Sequence, residues 1–202
     1  MPPCTVVIFA KAPVPGFAKT RLVPALGVNG AARLAARLLA EMVAQALAAN
    51  VGPVHLCCAP DAAHTAFAGF AGQRGLTLSD QGGGHLGDRM HRALQPHLGA
   101  GARAMLVGTD IPALDADYLR LADAALRTTD AVLAPAADGG YALIGLHQAP
   151  IRLFQDVAWS TAEVMATTRL RLRECGLLHV ELPTVCDVDE PHDLVHLPKG
   201  WL

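Results

Sequence analysis

The sequence has no long apolar run, few aromatic residues and no excess of either charge. Hydrophobic residues make up 52% of the 202 residues, yet no uninterrupted run approaches the roughly 20 residues that span a bilayer. We therefore expect no membrane span. The 16 Lys and Arg against 18 Asp and Glu give a net charge of −2. Because domains that bind nucleic acid carry a basic surface, this balance argues against a nucleic-acid partner.

Metal-binding motifs of cysteine and histidine are also missing. The 5 cysteines form no C-x-x-C pair, and the 9 histidines include no H-E-x-x-H motif, so a zinc site is not expected. An odd number of cysteines is typical of reduced thiols in a cytoplasm. The first apolar run has no basic region before it and leads into Lys11, so we expect no signal peptide and a cytoplasmic protein.

Short apolar runs alternate with helix-like segments along the chain. Runs such as residues 5–9 and 131–135 are typical of strands that are buried on both faces of a parallel sheet. The stretches between them predict helices, including one from Asn29 as its N-cap to about Ala49 and a short one over residues 60–70. This alternation predicts a single α/β domain over residues 1–202 with a mostly parallel sheet.

Three cations lie in the loop after the first predicted strand: Lys11, Lys19 and Arg21. A basic loop at this point of an α/β sheet is well placed to bind phosphates. The alternative is a solvated turn, and exposed loop charges of this kind contribute little to stability. The pair Lys19-Thr20 invites comparison with a Walker P-loop, but Ala18 stands where that motif requires a glycine.

A carboxylate follows the fourth predicted strand. The apolar run of residues 104–107 leads to Asp110, and Pro112 prevents simple continuation of the strand. Ligands of open α/β sheets bind at this edge, where a carboxylate is a natural ligand for a hard cation such as Mg²⁺. The alternative is that Asp110 only caps a helix that begins near Leu114.

Two glycine-rich segments also follow predicted strands. Residues 80–90 permit close approach of the backbone to a ligand and carry Arg89 in the next helix, or they only connect a strand to a helix. Residues 138–141 separate two apolar strands. They form either a hairpin turn or a substrate wall, in which Tyr141 stacks on a ligand and Asp138 accepts its hydroxyl groups.

Two further segments near the C-terminus have alternative interpretations. Residues 159–161 precede a predicted helix that ends near Cys175, and either Ser160 or Thr161 is the expected N-cap. In an extended chain Asp187 and Asp189 point to the same side, so they present two oxygens to one cation. Alternatively, Asp189 caps a short helix that starts at Glu190.

Taken together, these segments resemble one known group of proteins. The motifs that carry the resemblance are residues 9–22, 81–89, 108–112, 138–145, 159–161 and 187–194. They are similar to the radical-SAM/selenodomain-associated transferase family, also labelled arsenosugar-biosynthesis-type glycosyltransferases, in the nucleotide-diphospho-sugar transferase (GT-A-like) superfamily. The resemblance implies a Rossmann-like GT-A three-layer α/β/α sandwich with a mostly parallel mixed sheet.

The resemblance also implies roles for particular residues. The implied nucleotide-binding residues are Lys11, Gly16, Lys19, Arg21, Gly82 and Arg89. The implied ligands of Mg²⁺ or Mn²⁺ are Asp110 with Asp187 or Asp189, and the implied catalytic residues are Asp110 and Asp138. The implied substrate-binding residues are Gly139, Gly140, Tyr141, Trp159, Ser160 and Thr161. One departure is His85, which stands where the family's glycine-rich loop carries an acid.

The implied reaction is glycosyl transfer from a nucleotide-diphosphate sugar to a small-molecule acceptor. Two alternatives stay open. One is a nucleotidyltransferase, which joins a nucleoside triphosphate to a phosphate- or phosphonate-bearing acceptor and releases pyrophosphate. The other is a nucleotide-binding protein without turnover. In both enzymes a divalent cation and the basic loop neutralise phosphate charge, and the enzymes differ in which bond breaks.

Overall fold

The computed structural model describes residues 2–201, so residues 1 and 202 of the predicted domain lie outside the described part. In chain order the elements are β1 (Cys4–Lys11), α1 (Val23–Ala49), β2 (Val54–Ala59), β3 (Leu76–Asp80), α2 (Leu86–Leu94), β4 (Arg103–Val107), α3 (Ala116–Leu126), β5 (Ala131–Pro135), β6 (Tyr141–Leu146), α4 (Val164–Glu174) and β7 (His179–Glu181). Across residues 2–201, no helix has both the length and the apolar character needed to cross a membrane.

The strands form one mixed sheet in the order β3-β2-β1-β4-β6-β5-β7. Strand β6 runs antiparallel to both of its neighbours, β4 and β5. The other neighbouring pairs are parallel. The prediction of a mostly parallel mixed sheet is therefore confirmed, and β5 and β6 form a hairpin.

Helices cover both faces of this sheet. Because side chains alternate along a strand, Val6 of β1 packs with Met42 of α1 and Leu119 of α3 on one face. Val7 lies on the opposite face, in a cluster with residues of α2 and α4 such as Leu172. The three-layer α/β/α sandwich is therefore confirmed.

Two predicted helices differ in the structure. Asn29 is not an N-cap, because α1 already begins at Val23 and its break lies at Gly27, whose φ of 68° and ψ of 166° are non-helical. Glycine takes this conformation without a steric penalty. The segment after β2 contains only a short 3₁₀ helix, Thr65–Phe70, in which Phe67 alone is buried. One buried side chain provides no apolar stripe to stabilise a longer helix.

The sheet brings four connections to one edge. Parallel β1 and β4 end side by side, so the basic loop and Asp110 are neighbours. The chain after β7 returns along the β5–β6 hairpin, where Ala136 bridges Val185. It then reaches β4, where the Val188 amide donates to the Asp110 carbonyl at 2.9 Å. The predicted residues of the basic loop, Asp110, residues 138–141, Asp187 and Asp189 come from these connections. Gly82 and Arg89 follow β3, and residues 159–161 precede α4.

Candidate functional site

A cleft at this edge consists of two adjoining cavities that share Phe9, Asp110 and Asp189. The basic cavity, about 270 Å³, is also lined by Lys11 at the end of β1 and by residues that follow β1, including Phe17, Lys19 and Arg21. The hairpin cavity, about 300 Å³, is lined mainly by residues of the β5–β6 hairpin and of the segment before α4, including Asp138, Gly140, Tyr141, Trp159, Ser160, Thr161 and Asp187.

Lys19 lies between the two cavities and holds their shared carboxylates. Its ammonium lies 2.5 Å from Asp110 Oδ1 and 2.7 Å from Asp189 Oδ1. It also donates to the Val188 carbonyl at 2.7 Å. The Lys19 side chain is only 5% exposed, so the expectation that it is an exposed loop charge was wrong. The reason is tertiary, because the segment that covers Lys19 lies about 170 residues further along the chain.

The two carboxylates that bind Lys19 are free of capping roles. Asp115, not Asp110, caps α3, since its Oδ1 accepts from the Tyr118 amide at 2.8 Å. The last 3₁₀ helix, Pro191–His196, has Glu190 as its N-cap. Both predicted capping alternatives, for Asp110 and for Asp189, were therefore wrong.

Asp138 and Asp187 add negative charge on the hairpin side. Asp138 Oδ1 accepts from the Gly140 amide at 2.8 Å and so stabilises the hairpin turn. Burial raises the pKa of Asp187, and the charges of Asp138 and Asp189 raise it further. Residues 138–141 form the predicted hairpin turn, and Asp138, Gly140 and Tyr141 also line the hairpin cavity, whereas Gly139 is not part of its lining. Their role as a substrate wall stays a prediction.

Two scarce aromatic residues form the apolar wall of the hairpin cavity. The rings of Tyr141 and Trp159 pack edge to face, with centroids 6.4 Å apart and planes at 80°. Burial raises the pKa of Tyr141. Its hydroxyl is buried and has no hydrogen-bond partner within residues 2–201. The cavity wall is therefore formed by the rings, and the Tyr141 hydroxyl is an unsatisfied polar group behind it.

The hydroxyl residues before α4 do not cap that helix, in contrast to the prediction. The N-cap is Glu163, whose side chain makes no capping bond. Ser160 has a φ of 64° and lies in the turn before the helix. Thr161 Oγ1 donates to the Ala158 carbonyl at 2.7 Å. Both residues therefore shape the rim of the hairpin cavity, and the helix starts after them.

Three residues predicted to bind nucleotide, Gly16, Gly82 and Arg89, are absent from the linings of both cavities as the described residues define them. The Arg89 guanidinium donates to Gln81 Oε1 at 3.0 Å. The Gln81 amide in turn donates to the Ala10 carbonyl at 2.9 Å, so this network fixes the glycine-rich loop against β1. The contact of these three residues with nucleotide stays a prediction.

Phe17 is a cleft residue that the sequence patterns missed. Its side chain is 70% exposed and it lines the basic cavity. A large apolar residue in a loop rich in Pro, Gly and Lys carries no periodic signal. Only the folded structure shows that this loop, and Phe17 with it, lines a cavity.

Residues 42–161, more than half of the chain, match the model of a family described as "Uncharacterized protein conserved in bacteria (DUF2064)". The chain belongs to the DUF2064 family. No curated protein matches it.

Solved structures share the fold of this DUF2064 protein. A candidate nucleotide-diphospho-sugar transferase of Desulfovibrio desulfuricans G20 is 32% identical, with 94% of this chain and 84% of that chain covered and a TM-score of 0.85. CMP:2-keto-3-deoxy-manno-octonic acid synthetase in complex with CTP is 14% identical, with 96% and 95% covered and a TM-score of 0.58. The manganese complex of Rv0371c from Mycobacterium tuberculosis H37Rv is 16% identical, with 98% and 99% covered and a TM-score of 0.51.

The carboxylates of the DUF2064 chain fit a divalent cation that is bound together with phosphate. No group of three or more His, Cys, Asp or Glu within residues 2–201 is arranged to hold a metal by itself. However, oxygens of Asp110 and Asp189 already converge on one cation, the Lys19 ammonium. Because Mg²⁺ typically takes one or two carboxylates and completes its shell with substrate phosphates and water, this donor set is suitable.

Proposed function

We propose that this protein is a metal-dependent glycosyltransferase that takes a nucleotide-diphosphate sugar as donor and a small molecule as acceptor. The observation that carries the proposal is the contrast in charge between the two cavities. The resemblance of its six motifs to arsenosugar-biosynthesis-type glycosyltransferases and its 32% identity to a candidate nucleotide-diphospho-sugar transferase support it.

The basic cavity suits the diphosphate of the donor. Lys11 and Arg21 are exposed on its wall. Arg21 has only a loose partner, since its guanidinium lies 3.7 Å from Glu190 Oε1. Cations that are not engaged in tight ion pairs are available to phosphate oxygens, and a charge-assisted hydrogen bond to phosphate is stronger than a neutral one.

The hairpin cavity suits a sugar and a hydroxyl-bearing acceptor. Its lining within residues 2–201 contains no Lys, Arg or His, whereas four of its residues are aspartates. A phosphate-bearing acceptor would meet repulsion there, and it is the acceptor that a nucleotidyltransferase requires. Carboxylates accept hydrogen bonds from sugar hydroxyls, and the rings of Tyr141 and Trp159 pack on the C–H faces of a sugar.

The aspartates of the cleft would hold the metal and the acceptor. Asp110 with Asp189 or Asp187 would hold Mg²⁺ or Mn²⁺, which when bound neutralises the departing diphosphate. Asp138 binds the Gly140 amide through Oδ1 and offers Oδ2 to an acceptor hydroxyl. In that position it would orient the acceptor and take its proton. Tyr141 and Trp159 exclude water from one side of the sugar.

Product identity tests the proposal. The protein is incubated with Mg²⁺ or Mn²⁺, a panel of nucleotide sugars and nucleoside triphosphates, and hydroxyl-bearing or phosphate-bearing acceptors, and products are identified by mass spectrometry. The expected result is release of a nucleoside diphosphate from a nucleotide sugar together with a glycosylated acceptor. Acceptor-dependent release of pyrophosphate from a triphosphate, with no turnover of nucleotide sugars, would instead establish a nucleotidyltransferase. Nucleotide retention without any product would establish a binding protein.

A further inference from the structure

The Lys19 ammonium occupies the place where the two shared carboxylates converge. Its nitrogen donates hydrogen bonds to Asp189 Oδ1 and to the Val188 carbonyl, both at 2.7 Å. It also forms an ion pair with Asp110 Oδ1 at 2.5 Å. A lysine ammonium has three hydrogens to donate. Two of them are donated within this cluster, and its charge is paired with both carboxylates.

The backbone is held in a costly conformation to make this contact. Lys19 has φ 49° and ψ 45°, in the left-handed region, which residues with a Cβ seldom adopt. Such conformations persist where surrounding contacts fix them, and they are concentrated at functional sites. Here the contacts that fix Lys19 are the two ion pairs and the hydrogen bond to the Val188 carbonyl.

We infer that the Lys19 ammonium is a built-in counter-ion of Asp110 and Asp189, which must leave this carboxylate pair before a divalent cation can bind there. Binding of a diphosphate drives the exchange, because phosphate oxygens in the adjoining basic cavity give the ammonium a new partner. The inference rests on the proposed function, since it concerns how the same site admits its metal.

The consequence is a coupling between two ligands. Metal alone has to displace a paired ammonium and leave it without a counter-charge, so metal alone binds weakly. Diphosphate alone has to draw the ammonium away from two carboxylates, which would then repel each other. When both ligands bind, each charge has a partner, and the coupling between the two binding sites is reciprocal.

Mn²⁺ affinity tests the inference with pyrophosphate as the diphosphate probe. It is measured by electron paramagnetic resonance of free Mn²⁺ and corrected for the Mn²⁺ that pyrophosphate chelates in a titration without protein. In the wild type, pyrophosphate at saturation should tighten Mn²⁺ binding by about tenfold or more. In Lys19→Met, Mn²⁺ alone should bind about tenfold more tightly than in the wild type. Pyrophosphate should tighten it further by a smaller factor than in the wild type, because only its direct contacts with the metal remain. Mn²⁺ should also raise the melting temperature of Lys19→Met more than that of the wild type.

Matched variants separate the counter-ion role from simple loss of positive charge. Lys11→Met removes a cation of the same cavity whose ammonium does not contact these carboxylates, and it should raise Mn²⁺ affinity much less than Lys19→Met. Lys19→Arg keeps a cation and should bind Mn²⁺ alone as weakly as the wild type. Lys19→Gln replaces Lys19→Met if the latter does not fold. If neither variant folds, the wild type decides, because Mn²⁺ affinity independent of pyrophosphate would overturn the inference.

The remaining outcomes distinguish the inference from the proposed function. If Asp110→Asn abolishes Mn²⁺ binding but Lys19→Met binds Mn²⁺ no more tightly than the wild type, the inference is overturned and the metal site stands. If Mn²⁺ binds to Asp110→Asn and to Asp189→Asn as tightly as to the wild type, the metal site itself is elsewhere. In that case the metal assignment of the proposed function and the inference are both overturned.

Discussion

The two cavities of the cleft are built in different ways. The basic cavity owes most of its lining to one short loop after β1, and its cations are close in sequence. The hairpin cavity is assembled from segments that are far apart in sequence and meet only in the folded sheet. The positive charge of the basic cavity could therefore be read from the sequence, whereas the shape of the hairpin cavity arises only when distant segments pack together.

The cavities also differ in how much their lining residues contribute to the stability of the fold. Lys11 and Arg21 are exposed and contribute little to folding, because exposed charges are well solvated. The hairpin cavity depends on close packing, since Gly139 lies against α4 and its carbonyl accepts from the Met165 amide at 2.9 Å. Substitutions of Lys11 and Arg21 should therefore change ligand affinity alone, and substitutions in the hairpin should change stability as well.

The largest effect is expected where the cavities meet. Asp110→Asn keeps the size of the side chain and removes the negative charge that both cavities share. Turnover of the nucleotide sugar should fall by about 100-fold or more, because a charge-stabilising group at the reacting centre is lost. Asp115→Asn is the matched control: asparagine caps a helix as well as aspartate does, so its turnover should equal that of the wild type. If Asp110→Asn turned over the nucleotide sugar as fast as the wild type, Asp110 would not be a catalytic residue.

The hairpin should be sensitive to a single methyl group. A Cβ at Gly139 would lie 2.5 Å from the Ala162 carbonyl oxygen, and its φ is +89°. Gly139→Ala should lower the free energy of unfolding in urea by about 2–3 kcal/mol, from overpacking and backbone strain together.

Gly72→Ala is the control for that substitution. Gly72 has a φ of +76° with nothing within 4 Å of a Cβ, so it should show the backbone cost alone, about 1 kcal/mol. Equal losses in the two variants would show that the hairpin does not pack as tightly as described.

Trp159→Ala should affect the hairpin cavity and leave the basic cavity intact. Loss of one aromatic wall should raise the KM for the acceptor or the sugar by about tenfold, which is the scale of one aromatic contact. The affinity for the nucleoside diphosphate, measured by calorimetry, should not change. Trp201→Ala, which removes the other tryptophan at its contact with Arg37, should leave both constants unchanged. An equal loss of diphosphate affinity in Trp159→Ala would contradict the division of the cleft.

The smallest effect is expected from the basic cavity. Arg21→Ala should weaken nucleoside-diphosphate binding by about three- to tenfold, which corresponds to one charge-assisted contact of roughly 1 kcal/mol. The melting temperature should stay the same, because the Arg21 side chain is 70% exposed and its ion pair with Glu190 is loose. Arg74→Ala, at an exposed position outside both cavities, provides the comparison. If Arg21→Ala lowered the melting temperature and left the affinity for nucleoside diphosphate unchanged, Arg21 would be a structural residue and not a ligand-binding one.

Much of the fold could be predicted from local patterns. Strand β5 has the bounds that its apolar run indicated, and the α/β sandwich with a mostly parallel sheet followed from alternating strands and helices. Its GT-A-like architecture was implied by the resemblance to a known family. Helix starts were less predictable. Ser160 and Thr161 have the side chains of N-caps, yet the helix starts after them: Ser160 has a positive φ in the preceding turn, and Thr161 Oγ1 donates back to the Ala158 carbonyl.

In the candidate site, too, local patterns could not predict contacts between distant segments. Asp110 could be placed at a strand end because an apolar run leads to it. Its contact with Lys19, and that of Lys19 with Asp189, joins segments that no local pattern connects. The sequence therefore identified the charged residues but not which of them form ion pairs. It missed Phe17 because no sequence pattern indicates that a loop residue lines a cavity.

Anomalous diffraction from Mn²⁺ tests the central claim most directly. Crystals would be grown with Mn²⁺ and the nucleotide sugar, or nucleoside diphosphate, that a thermal-shift screen finds to bind. The account predicts a manganese peak at Asp110 with Asp189 or Asp187, a diphosphate that extends towards Lys11 and Arg21, and a sugar beside Tyr141 and Trp159. A peak away from all three carboxylates, or a diphosphate in the hairpin cavity, would contradict it.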